Sequence, residues 1–145
     1  MSTLLAEFSV TPPSNETFMR IFQGLDLGGA QDALSLANQS NPHPSLVPVW
    51  GMLLEDGQAV GLATLYLPPP QSLEVAPAFI GNIVIAQSSQ GKDMESYLLS
   101  QVEQWCAKQH VHLLAIQVLE DASPFFVSKG FKQGKEGSPI FFKNI

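Results

Sequence analysis

The stretch QSSQGKDMES, residues 87–96, has the residue types of an anion cradle at the start of a helix. Backbone N–H groups left open at a helix N-terminus, together with the helix dipole, attract a phosphate, and a glycine such as Gly91 lets an anion come close to the chain. Gln90 contributes a side-chain donor and Lys92 a positive charge. Asp93 and Glu95 act against them. Carboxylates in a first helical turn complement the dipole themselves, by about 0.3–1 kcal/mol each. Their Cα–Cβ bonds also tilt toward the helix start, where an anion would sit. A carboxylate ~6 Å from a phosphate costs roughly 0.7 kcal/mol in water and about 3 kcal/mol at an effective dielectric constant near 20.

The remaining chemistry-bearing residues form no recognisable constellation. His110 and His112 flank Val111 with no cysteine or carboxylate at ligand spacing, and His43 stands alone in a proline-rich segment, so no metal site is expected. Cys106 falls on an apolar helical stripe and reads as core. There is no nucleophile-elbow, Walker or dinucleotide-binding glycine pattern.

Composition narrows the function classes further. Seven basic residues against thirteen acidic ones give a net charge of -6, too few cations for a stripe that neutralises a nucleic-acid backbone. An acidic chain suits a small cationic substrate. One cysteine precludes an internal disulfide and fits a reducing compartment. The N-terminus carries Glu7 and no basic region, and no uncharged run is long enough to span a bilayer, so a cytoplasmic protein is expected.

The elements that must position these residues are short and alternate in type. Leu4–Val10 reads as a strand, Asn15–Gln23 as a helix capped by Ser14, Gly24–Gly29 as a break and Ala30–Asn38 as a second helix. Val47–Glu55 and Ala59–Leu67 read as strands of a hairpin closed by Asp56-Gly57, and a stiff proline-rich connection follows. The unbroken apolar run Ala78–Ala86 predicts a strand buried on both faces. From Asp93 to Gln109 one stripe of Met94, Tyr97, Leu98, Val102, Trp105 and Cys106 predicts the longest helix. Leu113–Val118 reads as a strand, DASPFFVSKG as a short helix ending at Gly130, and Phe131–Gln133 with Ile140–Lys143 as a closing pair. Ala78–Val118 is thus strand, helix, strand, which implies a parallel pair. The expectation is a single α/β domain over residues 1–145, with one mixed central sheet flanked by helices in the order β-α-α-β-β-β-α-β-α-β-β.

That order, and the residues of Ile80–Phe131, resemble the GNAT family of acyl-CoA-dependent N-acetyltransferases. In the family an apolar strand and short loop lead into (Arg/Gln)-x-x-Gly-x-(Gly/Ala) at the start of a long helix. Here Gln90, Gly91 and Lys92 match its opening, and FFVSKGF supplies Phe125, Phe126, Lys129, Gly130 and Phe131 of a later family segment. The motif glycines fall on Asp93 and Glu95. The tyrosine that often protonates the leaving thiolate falls on Phe126, a frequent strand-end asparagine on Leu119, and a carboxylate kept by some members on Phe79.

The resemblance implies acetyl-CoA as acyl donor and a small-molecule amine as acceptor, with a homodimer as a family-level expectation. It implies cofactor-binding roles for Ile83, Val84 and Ile85 through their backbone, for Gln90, Gly91, Lys92, Asp93, Met94 and Glu95 at the cradle, and for Phe126 and Lys129. No general base stands out. Asn82 can position a water, Glu74 lies in the proline-rich connection, and Ser123 is a hydroxyl near the place of the absent tyrosine. The departures also define a second reading, a GNAT-fold binding or regulatory protein without transferase activity.

Overall fold

The computed structural model describes residues 3–23, 32–69, 76–118 and 122–145. Seven strands form one sheet in the order β1-β2-β3-β4-β5-β7-β6. In chain order the elements are β1 (Leu4–Ser9), α1 (Asn15–Ile21), α2 (Ala33–Ser40), β2 (Val47–Glu55), β3 (Gln58–Leu67), β4 (Ala78–Ile85), α3 (Met94–Lys108), β5 (Leu113–Gln117), α4 (Ser123–Ser128), β6 (Lys132–Gln133) and β7 (Ile140–Asn144). This is the mixed α/β arrangement that the sequence predicts. β4 and β5 are the parallel pair, and every other pairing is antiparallel.

Local chemistry sets the element ends. Asp56 and Gly57 both take positive φ, 52° and 84°, which is the two-residue turn whose twist matches the flanking strands. Ser14 Oγ accepts from the Thr17 N–H at the start of α1. α2 starts three residues later than the sequence predicts. Asp32 accepts from the Ser35 N–H while Ser35 Oγ accepts from the Asp32 N–H, so this reciprocal box fixes Ala33 as the first helical residue. Those hydrogen bonds hold the Asp32 carboxyl below its ordinary pKa. The expected Gly24–Gly29 break lies outside the described residues.

The helices bury two faces of the sheet. Against α3, Leu53, Leu65, Ile80, Ile85, Leu114 and Ile116 pack on Met94, Leu98, Val102 and Cys106. Against α1 and α2, Trp50, Leu62 and Tyr66 pack on Phe18, Ile21, Phe22 and Ala37. The apolar stripe read from α3 is therefore its core face, and Phe8 of β1 stacks on Trp105 at 4.9 Å, close to parallel. α3 ends in a Schellman cap: His110 takes φ 63°, its N–H donates to Ala107 O, and the Val111 N–H donates to Cys106 O. Among the described residues no helix is long and apolar enough to cross a membrane.

Burial, with a smaller contribution from the Glu103 carboxylate, pushes the Cys106 thiol up to about 12. The thiolate is the reactive form, so the native thiol is protected twice, by access and by protonation. Iodoacetamide at pH 8 is expected to leave Cys106 unmodified in the folded protein and to alkylate it fully in guanidinium, read by mass spectrometry.

Candidate functional site

Strand β4 organises the site because it parts company with β5. The parallel pairs are Ala78–Leu114, Phe79–Ala115 and Ile80–Ile116. Among the described residues, β4 then runs on to Ile85 paired only with β3. A bulge sits at the departure point: Leu65 pairs with Ile80 and Thr64 with Asn82, which leaves Gly81 extra. A Cβ on Gly81 would stand 2.5 Å from Tyr66 Cε2, so only glycine lets that ring lie against the chain. Tyr66 is fully buried, and its hydroxyl donates to Ala37 O at 2.7 Å.

The pleat beyond the bulge decides which groups face the opening. The Ala86 N–H donates to Val60 O of β3. Two and four residues back, Val84 and Asn82 likewise turn their backbone groups toward β3. Ile83 and Ile85 therefore present theirs to the edge that β5 has left. Gln90 confirms the phase, since its Nε2 donates to Ile85 O at 3.1 Å. Side chains alternate too. Ile83 and Ile85 pack toward α3, whereas Phe79 and Val84 pack toward α1 and α2. Because the bulge adds a residue, Asn82 joins Phe79 on that second face.

At the far end of β4, a cleft of about 220 Å³ is lined by Ile85, Ser89, Gln90, Gly91, Asp93, Met94, Glu95, Ser96 and Phe125. It lies at the start of α3. The first intrahelical bond there is Tyr97 N–H to Asp93 O, so the N–H groups of Met94, Glu95 and Ser96 have no partner within the helix. Gly91 takes φ 82°. Asp93, expected as the first helical residue, is instead the N-cap in left-handed geometry, φ 58° and ψ 21°, with no capping bond from its side chain. That geometry is why glycine suits this position. Asp93 and Glu95 are exposed at the cleft mouth.

The short helix α4 supplies the opposite wall, and its own ending explains the FFVSKGF segment. Gly130 takes φ 96°, its N–H donates to Val127 O, and the Phe131 N–H donates to Phe126 O. Phe126 and Phe131 meet edge to face at 5.6 Å. This is a Schellman cap with its usual apolar contact. It places Phe126 toward the core and Phe125 in the cleft, with Lys129 Nζ 5.6 Å from the Phe125 ring centre. Lys92 is exposed, and neither it nor Ile83, Val84, Phe126 or Lys129 lines the cleft. Ser89, Ser96 and Phe125 do line it, although their sequence context assigned them no binding role; the signal for Phe125 lay in the helix-ending glycine five residues on.

A second cleft, of about 440 Å³, opens beside the bulge. Gln39, Pro42, Tyr66, Phe79, Ile80, Gly81, Gln117 and Ile140 line it. The two clefts touch β4 at opposite ends of its unpaired stretch, one at Ile85 and the other at Ile80 and Gly81. Ser123 lines a third cleft with Val118, Gln133 and Phe141, apart from both. Glu74 and Leu119 lie outside the described residues. Among the described residues no group of three or more His, Cys, Asp or Glu side chains gathers as a metal site.

A model of the acetyltransferase (GNAT) family matches residues 15–131. No curated protein matches by sequence. Among solved structures, a GNAT-family protein from Desulfovibrio desulfuricans has a TM-score of 0.72 at 17% identity, covering 98% of this chain and 99% of its own. The ribosomal-protein-S18-alanine N-acetyltransferase from Escherichia coli scores 0.64 at 16% identity, covering 100% and 94%. A GNAT family acetyltransferase from Elizabethkingia anophelis, crystallised with acetyl-CoA bound, scores 0.63 at 12% identity, covering 99% and 98%. At these identities the likeness is one of fold.

Two substitutions test the local geometry. Gly81→Ala forces the Tyr66 ring off the bulge and is expected to lower stability by about 1–3 kcal/mol. Asp93→Gly relieves left-handed strain and is expected to raise it by about 0.5–1 kcal/mol. Thermal and urea unfolding measure both.

Proposed function

The chain belongs to the GNAT acetyltransferase family, and on that premise we propose that it moves an acetyl group from acetyl-CoA to the nitrogen of a small-molecule amine. The observation that carries this reading is the unpaired stretch of β4 with a cleft at each end. Support for the donor also comes from the Elizabethkingia anophelis protein of the same fold, which holds acetyl-CoA.

In this reading the N–H groups of Met94, Glu95 and Ser96 hold the pyrophosphate, with Lys92 adding charge from outside. The Ile83 backbone binds the pantetheine amides along the open edge and orients the thioester carbonyl. These contacts come from the backbone, so the site fits the donor although the motif glycines are replaced. The amine approaches from the cleft beside Gly81. Its nitrogen attacks the carbonyl carbon, the C–N bond forms, the C–S bond breaks, and the nitrogen's proton passes to solvent. Holding the two reactants at one point of β4 supplies most of the rate enhancement. Asn82, on the acceptor face, positions the amine or a water that takes the proton. Thiolate is a tolerable leaving group, which accommodates Phe126 in place of a tyrosine. Ser123, in its separate cleft, has no part in this route.

Calorimetric titration with acetyl-CoA and free CoA tests the donor site. Micromolar binding is expected. No binding below about millimolar, a loss of ~4 kcal/mol, overturns the proposal and favours a GNAT-fold protein without transferase activity. Glu95→Gln is expected to tighten binding by about three- to tenfold at low salt and by less at high salt, because the penalty it removes is electrostatic.

A further inference from the structure

The acceptor cleft is built from two cross-strand pairs. Tyr66 of β3 stands opposite Phe79 of β4, and Gln117 of β5 opposite Ile140 of β7. Both pairs contribute to the same lining, and Gln39 and Pro42 close it from the α2 side. The floor is rigid. The Tyr66 ring is pinned between Gly81 and the Ala37 carbonyl that its hydroxyl bonds. Tyr66 is fully buried, so it supports the floor from beneath and leaves the exposed ring surface to its neighbours. Phe79, its cross-strand partner, is half-buried and sets a ring at the cleft, where a resembling chain with a carboxylate would place charge. Ile80, Ile140 and Pro42 extend the apolar wall, and the carboxamides of Gln39 and Gln117 stand at exposed positions.

A partly exposed aromatic face such as that of Phe79 takes up flat apolar surface by burial and stacking, and it attracts an ammonium placed over it. Carboxamides at a rim pair with neutral donors and acceptors at no charge cost. The volume, about 440 Å³, falls in the range of small-molecule sites. The chain's net charge of -6 draws cations toward it.

We propose that the acceptor is a monoamine carried by an aromatic ring on a short alkyl arm, its ring seated against Phe79 and its nitrogen directed at the stretch of β4 that β5 leaves open. This rests on the transfer reading above and names the acceptor class for the same site. Transfer balances as before once the ammonium has given one proton to solvent. One amide C–N bond forms, the thioester C–S bond breaks to leave the thiolate, and a second proton leaves the nitrogen for solvent.

The test compares 2-phenylethylamine, putrescine and a short peptide with a free N-terminus. Calorimetry reads amine binding with and without CoA, and thiol release reads transfer. Phenylethylamine is expected to bind, and to be acetylated with kcat/KM about tenfold or more above the other two. Phe79→Ala is expected to raise its KM about tenfold with little change in kcat. Gln117→Glu, at an exposed position that leaves packing intact, is expected to shift preference toward putrescine. Acetyl-CoA binding with putrescine or the peptide preferred overturns this inference and leaves the transferase standing. Absence of acetyl-CoA binding overturns the transferase. Absence of phenylethylamine binding, or binding unmoved by Phe79→Ala, overturns the ring-seated acceptor whichever donor result is found.

Discussion

The contact between the Tyr66 ring and the bare backbone of Gly81 is the constraint on which the site depends. It places one extra residue in β4 opposite Leu65. That residue ends the pairing of β4 with β5 after Ile80 and reverses the side-chain phase of everything beyond it. Without the bulge, Asn82 would face α3 and Ile83 would face α1 and α2. With it, the face toward α1 and α2 holds Phe79 and Asn82, and the backbone groups of Ile83 and Ile85 point into the opening. Tyr66 cannot yield, because it is fully buried and tethered to α2 through the Ala37 carbonyl. A single aromatic side chain so joins the second helix, the bulge and the acceptor cleft.

In the proposed reading, most of the binding work falls on the main chain. Anion attraction comes from N–H groups that a helix leaves open at its start, and strand-edge recognition comes from amides that a missing neighbour leaves open. Neither depends on a particular side chain. Loss of motif letters is then less damaging than their count indicates. Asp93 adopts the left-handed conformation that glycine would take more cheaply, and the turn survives. The tyrosine position is filled by Phe126, which serves α4 as half of a helix-ending contact with Phe131. What the substitutions do change is electrostatics: two exposed carboxylates stand where a pyrophosphate's charge would be.

Much of the fold was legible in the chain. Period-two alternation, the Asp56-Gly57 turn and the apolar stripe of α3 each act over a few residues, and each placed its element to within a few positions. The larger misplacement was the start of α2. There Asp32 and Ser35 satisfy each other's backbone, a local signal that outweighs the helix-forming residues before it. The helix start behind Gln90–Asp93 was legible as well, because a helix start is specified by neighbours in sequence. The acceptor cleft was not. Tyr66, Phe79, Gln117 and Gln39 come from four elements, and no spacing within one segment relates them.

The sequence by itself determined the element order, the mixed sheet and the helix start at which an anion cradle is proposed, because these follow from short-range periodicity and turn chemistry. Its motif letters pointed to the family. Tertiary structure decided the rest. Which of Ile83, Val84 and Ile85 faces the opening depends on a bulge set by a ring fifteen residues earlier in β3. Which aromatic of the Phe125–Phe126 pair enters the donor cleft depends on the cap that follows it. Whether Ser123 lies at the reaction point depends on which face of the sheet α4 covers. Each is a question of phase or side, and a one-residue shift reverses the answer, so it is settled only when distant strands have paired.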